Sequence, residues 1–306
     1  MLKKIISLTF LLTFYAQAFD FNLKPVKLSD ELYCFFGKLE VPSEENAGNM
    51  SNSCYVKGNN SYVVVDTGSN YEFAKQTYEA MSKIAKLPVE AVIVSHEHDD
   101  HFLGNGFFKD IFNAKIIGPS TFNDKYNSNS KTRMMSLLSE DIMNKTRVVP
   151  VDVKISEETT MTISGKEFTF IPLGFKAHSA QDLVIYLEKE KILFAADVIM
   201  NGRLNSTRDG SVIGMLKAVD LVKSKDWKIL VPGHGFDTSE TAPNETEQYY
   251  SLIKQRVMKA VEDDVGAAEV SNIVLMEEFK DMPFYDVFNK RNVFDAYSEL
   301  EFYDGE

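Results

Sequence analysis

The histidines of this chain are few and unevenly placed, and their arrangement constrains its fold and chemistry more than any other feature. Only five occur in 306 residues, and three of them fall within the segment His96-Glu97-His98-Asp99-Asp100-His101. A single histidine is usually a surface or hydrogen-bonded core residue, but a desolvated cluster of imidazoles and carboxylates needs a cation to compensate it. Both groups are good ligands for zinc and similar divalent ions. The segment therefore predicts a metal site.

The other candidate ligands follow apolar, strand-like segments elsewhere in the chain. His96 comes after such a run at 92–94, and His178, Asp197 and His234 each follow another. Taken singly, His178 and His234 have ordinary structural explanations, and Asp197 could be a turn residue. Because the ends of neighbouring strands can deliver side chains to one edge of a sheet, we expect these residues to converge with the histidine segment.

The spacing within the segment suggests how two ions could be held. His96 and His98, two residues apart, can point to the same side of an extended chain, whereas Asp100 and His101 must turn to serve a second ion. A carboxylate such as Asp197 can bridge two ions about 3.5–4 Å apart, and a water held between them loses its proton near neutral pH. The sequence thus predicts two divalent ions, with zinc as the expected metal and a hydroxide as nucleophile.

Apolar patterning predicts alternating strands and helices. The predicted strands are 61–66, 89–95, 114–118, 159–164, 167–172, 182–187, 192–196 and 228–232. The predicted helices are 71–85, 120–145 and 211–224, with mostly helix from Glu245 onward. A polar Asn/Ser interruption is predicted within the second of these, near 127–130. This alternation indicates an α/β protein with two mixed sheets faced by helices. Residues 38–53, rich in Glu, Asn, Ser and Gly, predict an exposed loop, either a plain connection or a segment gating the site.

These motifs carry a family resemblance. The segment from His96 to His101 resembles the HxHxDH signature of the metallo-β-lactamase superfamily, and further elements occur in the expected order: Asp66-Thr67-Gly68, Ala177-His178-Ser179, Ala196-Asp197 and Pro232-Gly233-His234-Gly235. The resemblance covers essentially the whole chain after the leader and implies an αββα sandwich. It also implies one metal on His96, His98 and His178, a second on Asp100, His101 and His234, Asp197 as the bridge, and Asp66 orienting ligands by hydrogen bonds.

The position of Asp197 bears on the kind of hydrolase. True β-lactamases of this superfamily usually carry Cys or Ser there, and those with Cys have a lysine three residues on, where this chain has Met200. An aspartate is similar to glyoxalase II and many general hydrolases. The basic pair that glyoxalase II uses for glutathione is not evident, since Lys254 and Arg256 fit a solvated helix face. Arg203 could be an anion anchor or a surface residue.

Two further segments, 45–52 and 291–301, resemble the exported zinc metallohydrolases found with thiosulfate-oxidation and quinoprotein dehydrogenase systems. This resemblance implies a functional link to an exported oxidation system but no defined substrate. The preferred function is a dinuclear metal-dependent hydrolase that cleaves an acyl bond (thioester, lactone or amide) of a small molecule, with Asp100 as the catalytic residue that orients the nucleophile. A phosphodiesterase is disfavoured because few positive residues are predicted near the site.

Three alternatives remain open at this stage. The first is a β-lactamase. The second is a sulfur or redox protein of the same fold with a single iron, in which His101 and His234 would be idle. The third is a metal-binding accessory protein without turnover.

The N-terminus predicts export. Lys3 and Lys4 precede an apolar run at 5–16, and Ala16-Gln17-Ala18 fits a signal peptidase site. The run is short for a membrane span, so we expect a signal peptide at 1–18 and a periplasmic or secreted protein without stable membrane insertion. The mature chain, 19–306, is predicted to be one domain with a helical part from about 241. An uncleaved anchor or a buried first helix is the alternative.

Charge and cysteine content complete the picture. The formal net charge is −12, and such a surface repels phosphate backbones, so nucleic acid is not an expected partner. Cys34 and Cys54 lie in short strand-like runs that could be neighbours. Export would permit a disulfide between them, and two free, half-buried thiols are the alternative.

Overall fold

The computed structural model describes residues 19–304. The predicted signal peptide at 1–18 lies outside these residues. Within the described part, no helix combines the length and the apolar character needed to cross a membrane.

Two β-sheets form the centre of the molecule. The first sheet contains β1 (Val26–Lys27), β2 (Leu32–Phe35), β3 (Ser53–Lys57), β4 (Tyr62–Val65), β5 (Val89–Ile93), β6 (Lys115–Pro119) and β7 (Val153–Ile155), paired in chain order. The strands β1 to β4 are antiparallel neighbours, and β4 to β7 are parallel neighbours. This sheet is therefore mixed.

The second sheet contains β8 (Thr159–Ile163), β9 (Lys166–Pro172), β10 (Leu183–Leu187), β11 (Ile192–Met200) and β12 (Ile229–His234). Its strands are antiparallel neighbours in chain order except β11 and β12, which are parallel. A parallel pair needs a crossover connection, and a helix between β11 and β12 provides it.

The helices lie in the connections and in the C-terminal part. They are α1 (Tyr71–Ser82), α2 (Asp99–Phe102), α3 (Asn105–Phe112), α4 (Phe122–Lys125), α5 (Arg133–Leu137), α6 (Val212–Lys223), α7 (Asn244–Glu262), α8 (Ala267–Ile273) and α9 (Tyr285–Leu300), with a 3₁₀ turn at Glu277–Phe279. Asn70 caps α1 by accepting a hydrogen bond from the backbone N–H of Phe73, which satisfies a donor that the helix itself leaves free.

Strand alternation separates three apolar layers. In β4, Val63 and Val65 pack between the two sheets, whereas Tyr62 and Val64 face the layer with α1 and α3. A third layer lies between the second sheet and α6, α7 and α9. Both faces of each sheet are thus covered, as the continuous apolar runs of the strands require. The predicted αββα sandwich of two mixed sheets is confirmed.

The predicted helix at 120–145 is interrupted near 127–130 as expected, but its predicted length is wrong. Only the short helices α4 and α5 form there. Between them, the backbone N–H of Asn127 donates to Ser130 Oγ at 3.0 Å, and that of Asn129 donates to Asn127 Oδ1 at 2.9 Å. Side chains that hydrogen-bond the nearby backbone in this way compete with helix formation.

The predicted exposed loop at 38–53 is only half correct. Residues 38–45 are exposed or partly exposed, but 46–53 are buried. Asn52 explains the burial, because its Nδ2 donates to the carbonyls of Pro232 and Gly235, both at 2.9 Å. A polar segment can be buried when its polar groups find partners. This segment connects the first sheet to the end of β12.

The two cysteines form a disulfide. Cys34 on β2 and Cys54 on β3 lie directly opposite each other, with a Cα–Cα distance of 4.1 Å. The bond is buried between the two sheets. The predicted neighbourhood of the two strands is confirmed, and the alternative of two free thiols is wrong.

Candidate metal centre

All seven predicted ligands come together at one edge of the sandwich. His96 and His98 follow β5, and Asp100 and His101 lie on α2. His178 lies in the loop between β9 and β10, Asp197 lies in β11, and His234 ends β12. The sequence prediction placed Asp197 after its strand, but β11 continues through it to Met200.

Their donor atoms fall into two groups. In one group, His96, His98, His178 and Asp197 offer one atom each within 4.8 Å of one another, and Asp100, His101 and His234 do the same in the other. Asp197 lies between the groups, with Oδ2 3.1 Å from His178 Nε2 and Oδ1 3.2 Å from His101 Nε2. These are the two sets that the family resemblance implies.

The inward-facing atoms of these side chains test whether metal ions fit. In the described part of the chain, His96 Nε2, His101 Nε2 and Asp197 Oδ1 are buried and have no partner in hydrogen-bond geometry, although the last two lie 3.2 Å apart. Buried polar atoms without partners are costly and rare. Imidazole nitrogens and carboxylate oxygens are the donors that divalent ions such as zinc take, so the residues fit a metal on this inner side.

Four of the five rings are held from outside through their other nitrogen. His96 Nδ1 lies 3.0 Å from Ser95 Oγ, and His234 Nδ1 donates to the Met50 carbonyl at 2.6 Å. His98 Nε2 lies 3.1 Å from Asp209 Oδ2, and His101 Nδ1 lies 2.8 Å from Asp66 Oδ2. Such partners fix the tautomer and the direction of a metal-binding ring. His178 differs, since its Nδ1 has no partner among the residues described.

The loop that carries His178 is fixed by one carboxylate instead. Asp182 Oδ2 accepts hydrogen bonds from the backbone N–H groups of His178 and Ser179, both at 2.9 Å, and Oδ1 accepts one from Ser179 Oγ at 2.8 Å. Asp182 is fully buried. The backbone of His178 is therefore positioned even though the outer nitrogen of its ring is not.

Asp66 has the contacts of a residue that orients ligands. It has a positive φ of 54°, which aspartate tolerates better than most side chains. Its carboxylate accepts hydrogen bonds from the backbone N–H and the hydroxyl of Ser95, at 2.9 and 2.7 Å, in addition to the contact with His101. One side chain at the end of β4 thus connects the segment after β5 to α2.

A bulge in β11 aims Asp197. Ala196 has a φ of +46°, and the pairing of β11 with β12 shifts register on either side of it. Opposite the bulge, a Cβ on Gly233 would lie 1.9 Å from Asp197 Oδ1. Only glycine leaves room for the carboxylate at this point, which explains the residue before His234.

The ionised carboxylates of the site favour binding of a metal cation. Burial opposes ionisation of Asp197, but the imidazoles of His234 and His101 outweigh it and hold the pKa of its carboxyl well below the usual range. Burial and the neighbouring His101 lower the pKa of His96 well below its ordinary value. Burial lowers the pKa of His101 and His178, but the Asp197 carboxylate outweighs it and raises the pKa of both. Because imidazoles bind metals in the neutral form, a metal cation would take the place of these protons beside the ionised carboxylates.

Comparison with known proteins identifies the family. The sequence model of the metallo-beta-lactamase superfamily matches residues 47–234, which include every predicted ligand. The chain belongs to the metallo-beta-lactamase superfamily. Members are mostly metal-dependent hydrolases, and this one carries two groups of side chains that could hold metal ions. No curated protein sequence matches the chain significantly.

Solved structures share the metallo-beta-lactamase fold with this chain. A metallo-beta-lactamase from Pontibacter korlensis is 20% identical, with a TM-score of 0.59 over 75% of this chain and 99% of that one. The metallo-beta-lactamase FIM-1 from Pseudomonas aeruginosa, in its mono-zinc form, is 18% identical, with a TM-score of 0.58 over 75% and 95%. The sec-alkylsulfatase Pisa1 from Pseudomonas sp. is 19% identical, with a TM-score of 0.67 over 93% of this chain but only 51% of its own length.

Five of the candidate ligands of this metallo-beta-lactamase superfamily member line a cavity of about 200 Å³: His98, Asp100, His178, Asp197 and His234. Val41, Pro42 and Met50 also line it, as do Phe284, Val287 and Phe288 from the start of α9. Three arginines also line it: Arg133, Arg203 and Arg208. The expectation of few positive charges near the site is therefore wrong. Lys254 and Arg256 do not line this cleft, and Arg256 pairs with Glu278 instead.

Sequence reasoning missed the residues that support the cleft from the C-terminal helix. Asn292 on α9 accepts hydrogen bonds from the backbone N–H and hydroxyl of Thr207, both at 3.0 Å, and donates to the Asn205 carbonyl at 2.7 Å. Asn205 Nδ2 in turn donates to the Asp197 carbonyl at 3.0 Å. Residue type alone could not reveal Asn292 or Asp209, because both act on residues far away in the sequence.

Proposed function

We propose that this protein is an exported, dinuclear metal-dependent hydrolase that cleaves an acyl bond of a small molecule, such as a thioester, lactone or amide. The observation that carries the proposal is the pair of donor groups that share Asp197 between them. Two divalent ions held there, for which zinc is the proposed identity, would polarise a carbonyl and activate a water molecule.

Side chains of the protein would orient the attacking water and supply negative charge beside it. Asp100 is buried, and its Oδ2 lies 3.3 Å from His234 Nε2. Burial raises the pKa of Asp100, but His101 and His234 outweigh it and hold that pKa well below its usual range. An ionised Asp100 can accept a hydrogen bond from an attacking water and orient it, so we assign it the catalytic role.

The completeness of the second donor group favours two ions over one. Asp100, His101 and His234 are all buried with their donor atoms together. In a protein with a single iron, these three buried groups would have no cation to compensate the cost of their burial. The mononuclear alternative is therefore the weaker proposal, as is an accessory protein without turnover.

A second candidate reaction is hydrolysis of an anionic ester such as an alkyl sulfate. The three arginines that line the cleft favour it, because guanidinium groups bind oxyanions. The likeness to a sec-alkylsulfatase over 93% of this chain supports including it. A β-lactamase remains a third candidate, and Met200 lines the cleft where a β-lactamase of the Cys type would have lysine.

Export is part of the proposal. The disulfide between Cys34 and Cys54 supports it, because such bonds persist mainly in oxidising compartments. A functional link to an exported oxidation system is supported only by the sequence resemblance of 45–52 and 291–301.

The test is elemental analysis of the protein from Phe19 onward, together with assays on a thioester, lactone, amide, β-lactam and alkyl sulfate panel. We expect about two zinc ions per chain and hydrolysis that is lost in His98→Ala and in Asp197→Ala. Asp226→Ala, an exposed carboxylate that pairs with Lys191 on the surface, is the control and should behave as the wild type. One iron per chain without hydrolysis of any substrate would replace this proposal with the redox alternative.

A further inference from the structure

Arg203 is an unusual residue of the cleft because it is a buried cation. Only 6% of its surface is exposed, yet it lines the cavity above the donor groups. Its Nε donates to the Leu204 carbonyl at 3.3 Å. Its Nη1 lies 3.3 Å from His234 Nδ1, but that nitrogen donates to the Met50 carbonyl and cannot accept a second proton. Most donors of the guanidinium are therefore left for something else.

The other two arginines of the cleft differ in this respect. Arg133 pairs with Asp99 at 3.4 Å, and Arg208 pairs with Asp209 at 2.7 Å. Among residues 19–304, no carboxylate oxygen lies within 4.0 Å of the Arg203 guanidinium nitrogens. A buried charge is costly unless it is paired. An anionic group that enters the cleft would form an ion pair with the Arg203 guanidinium.

The residues around Arg203 indicate what kind of molecule would carry such an anionic group. The guanidinium carbon lies 4.0 Å from the centre of the Phe284 ring, which stacks on Phe288 at 5.3 Å and 9°. Val287, next to Phe288 in the sequence, is 59% exposed, and Val41, which lines the same cleft, is 51% exposed. Exposed apolar side chains that line a cleft suit a hydrocarbon group. These residues lie outside the family match at 47–234.

We propose that Arg203 binds a carboxylate of the substrate and that Val41, Val287 and Phe288 hold its hydrocarbon body, which makes the substrate a small amphiphilic acid. This inference rests on the proposed function for the reaction and adds the substrate class. Cation–π contact with Phe284 keeps the guanidinium in place without neutralising it, so Arg203 is prepared to form a bidentate pair with an oxyanion.

Binding of simple probes tests the inference without turnover. The affinities of the zinc-loaded protein for hexanoate, its neutral analogue hexanamide, and acetate are measured by calorimetry. We expect the wild type to prefer hexanoate over hexanamide, and Arg203→Gln to lose about ten- to a hundredfold in hexanoate affinity. Arg256→Gln, which lies outside the cleft and pairs with Glu278, should bind hexanoate as the wild type does.

A second variant tests the apolar wall, which is formed by Val41, Val287 and Phe288. Its result is informative even if Arg203→Gln does not fold. Val287→Ser changes an exposed residue, and we expect it to lower hexanoate affinity about threefold while acetate affinity stays the same. Arg203→Gln that still prefers hexanoate over hexanamide would show that the metal ions alone bind the carboxylate and would overturn the anion site. Equal affinities of the wild type for acetate and hexanoate would overturn the apolar wall. Because no hydrolysis is measured, failure of the proposed reaction would leave these results intact.

Discussion

Asp209 Oδ2 lies 3.1 Å from His98 Nε2, although the two residues are 111 positions apart in the sequence. The same oxygen accepts hydrogen bonds from Nε and Nη2 of Arg208 at 2.9 and 2.7 Å. Hydrogen bonds from His98 and Arg208 lower the pKa of Asp209, so it is an anion at neutral pH. A loop before α6 therefore sets the ring direction of a candidate ligand that follows β5.

Asp209→Asn is expected to weaken metal binding. The neutral amide holds the His98 ring less firmly and reduces its basicity, and losses of about 10- to 100-fold in metal affinity are usual for such partners. Competition with a chromophoric chelator measures the affinity directly. Asp226→Asn, on the surface, serves as the matched control, and equal zinc affinity in both variants would show that Asp209 has no positioning role.

Asp66→Asn is expected to weaken metal binding by the second donor group, which contains Asp100, His101 and His234. Asp66 holds His101 through Nδ1, and asparagine can adopt the same positive φ, so the backbone is preserved while the charge is lost. We expect zinc content to fall from about two towards one per chain, again through an affinity loss of about 10- to 100-fold. Elemental analysis after dialysis measures this content. Asp152→Asn, which pairs with Lys109 away from the site, should retain both ions, and an unchanged zinc content in Asp66→Asn would contradict the assigned role.

Asn292→Ala is expected to destabilise the protein by about 3 kcal/mol. Asn292 is fully buried, and its removal leaves the backbone N–H of Thr207 and the carbonyl of Asn205 without partners. Urea unfolding gives the free energy of unfolding. Asn272→Ala removes only a surface contact with Lys290 and should cost less than about 0.5 kcal/mol. Similar losses in both variants would mean that α9 does not support the cleft.

Loss of the disulfide is expected to lower the free energy of unfolding by about 3 kcal/mol, because the cross-link closes a loop between residues 20 positions apart. The double variant Cys34→Ala, Cys54→Ala is compared with the wild type in urea. The wild type with a thiol reductant controls for the lost side-chain volume. Zinc content should stay the same, since the bond lies between the sheets rather than beside the donor atoms.

Much of the site could be predicted from the sequence because its ligands follow apolar strands. Residues at the ends of strands are brought to one edge by the geometry of the sheets, so local patterning around His96 and His234 carries information about distant contacts. Asp197 reaches the same edge from within β11, beside the bulge at Ala196. The fold class follows from the same patterning. Within 120–145, the polar composition predicted the interruption where side chains of Asn127 and Ser130 bond to the nearby backbone. Periodicity did not predict that the helices on either side of it are short.

The sequence by itself determined the fold class, the ligand types and the strand ends that carry them, because these depend on local periodicity and on the chemistry of single residues. Only the tertiary structure decided which groups surround them. The contact of Asp209 with His98, the burial of Arg203 and the apolar wall from α9 all join residues far apart in the chain. Such contacts depend on how the connections between strands pack, and hydrophobic patterning specifies which face of an element is buried but not which partner it meets.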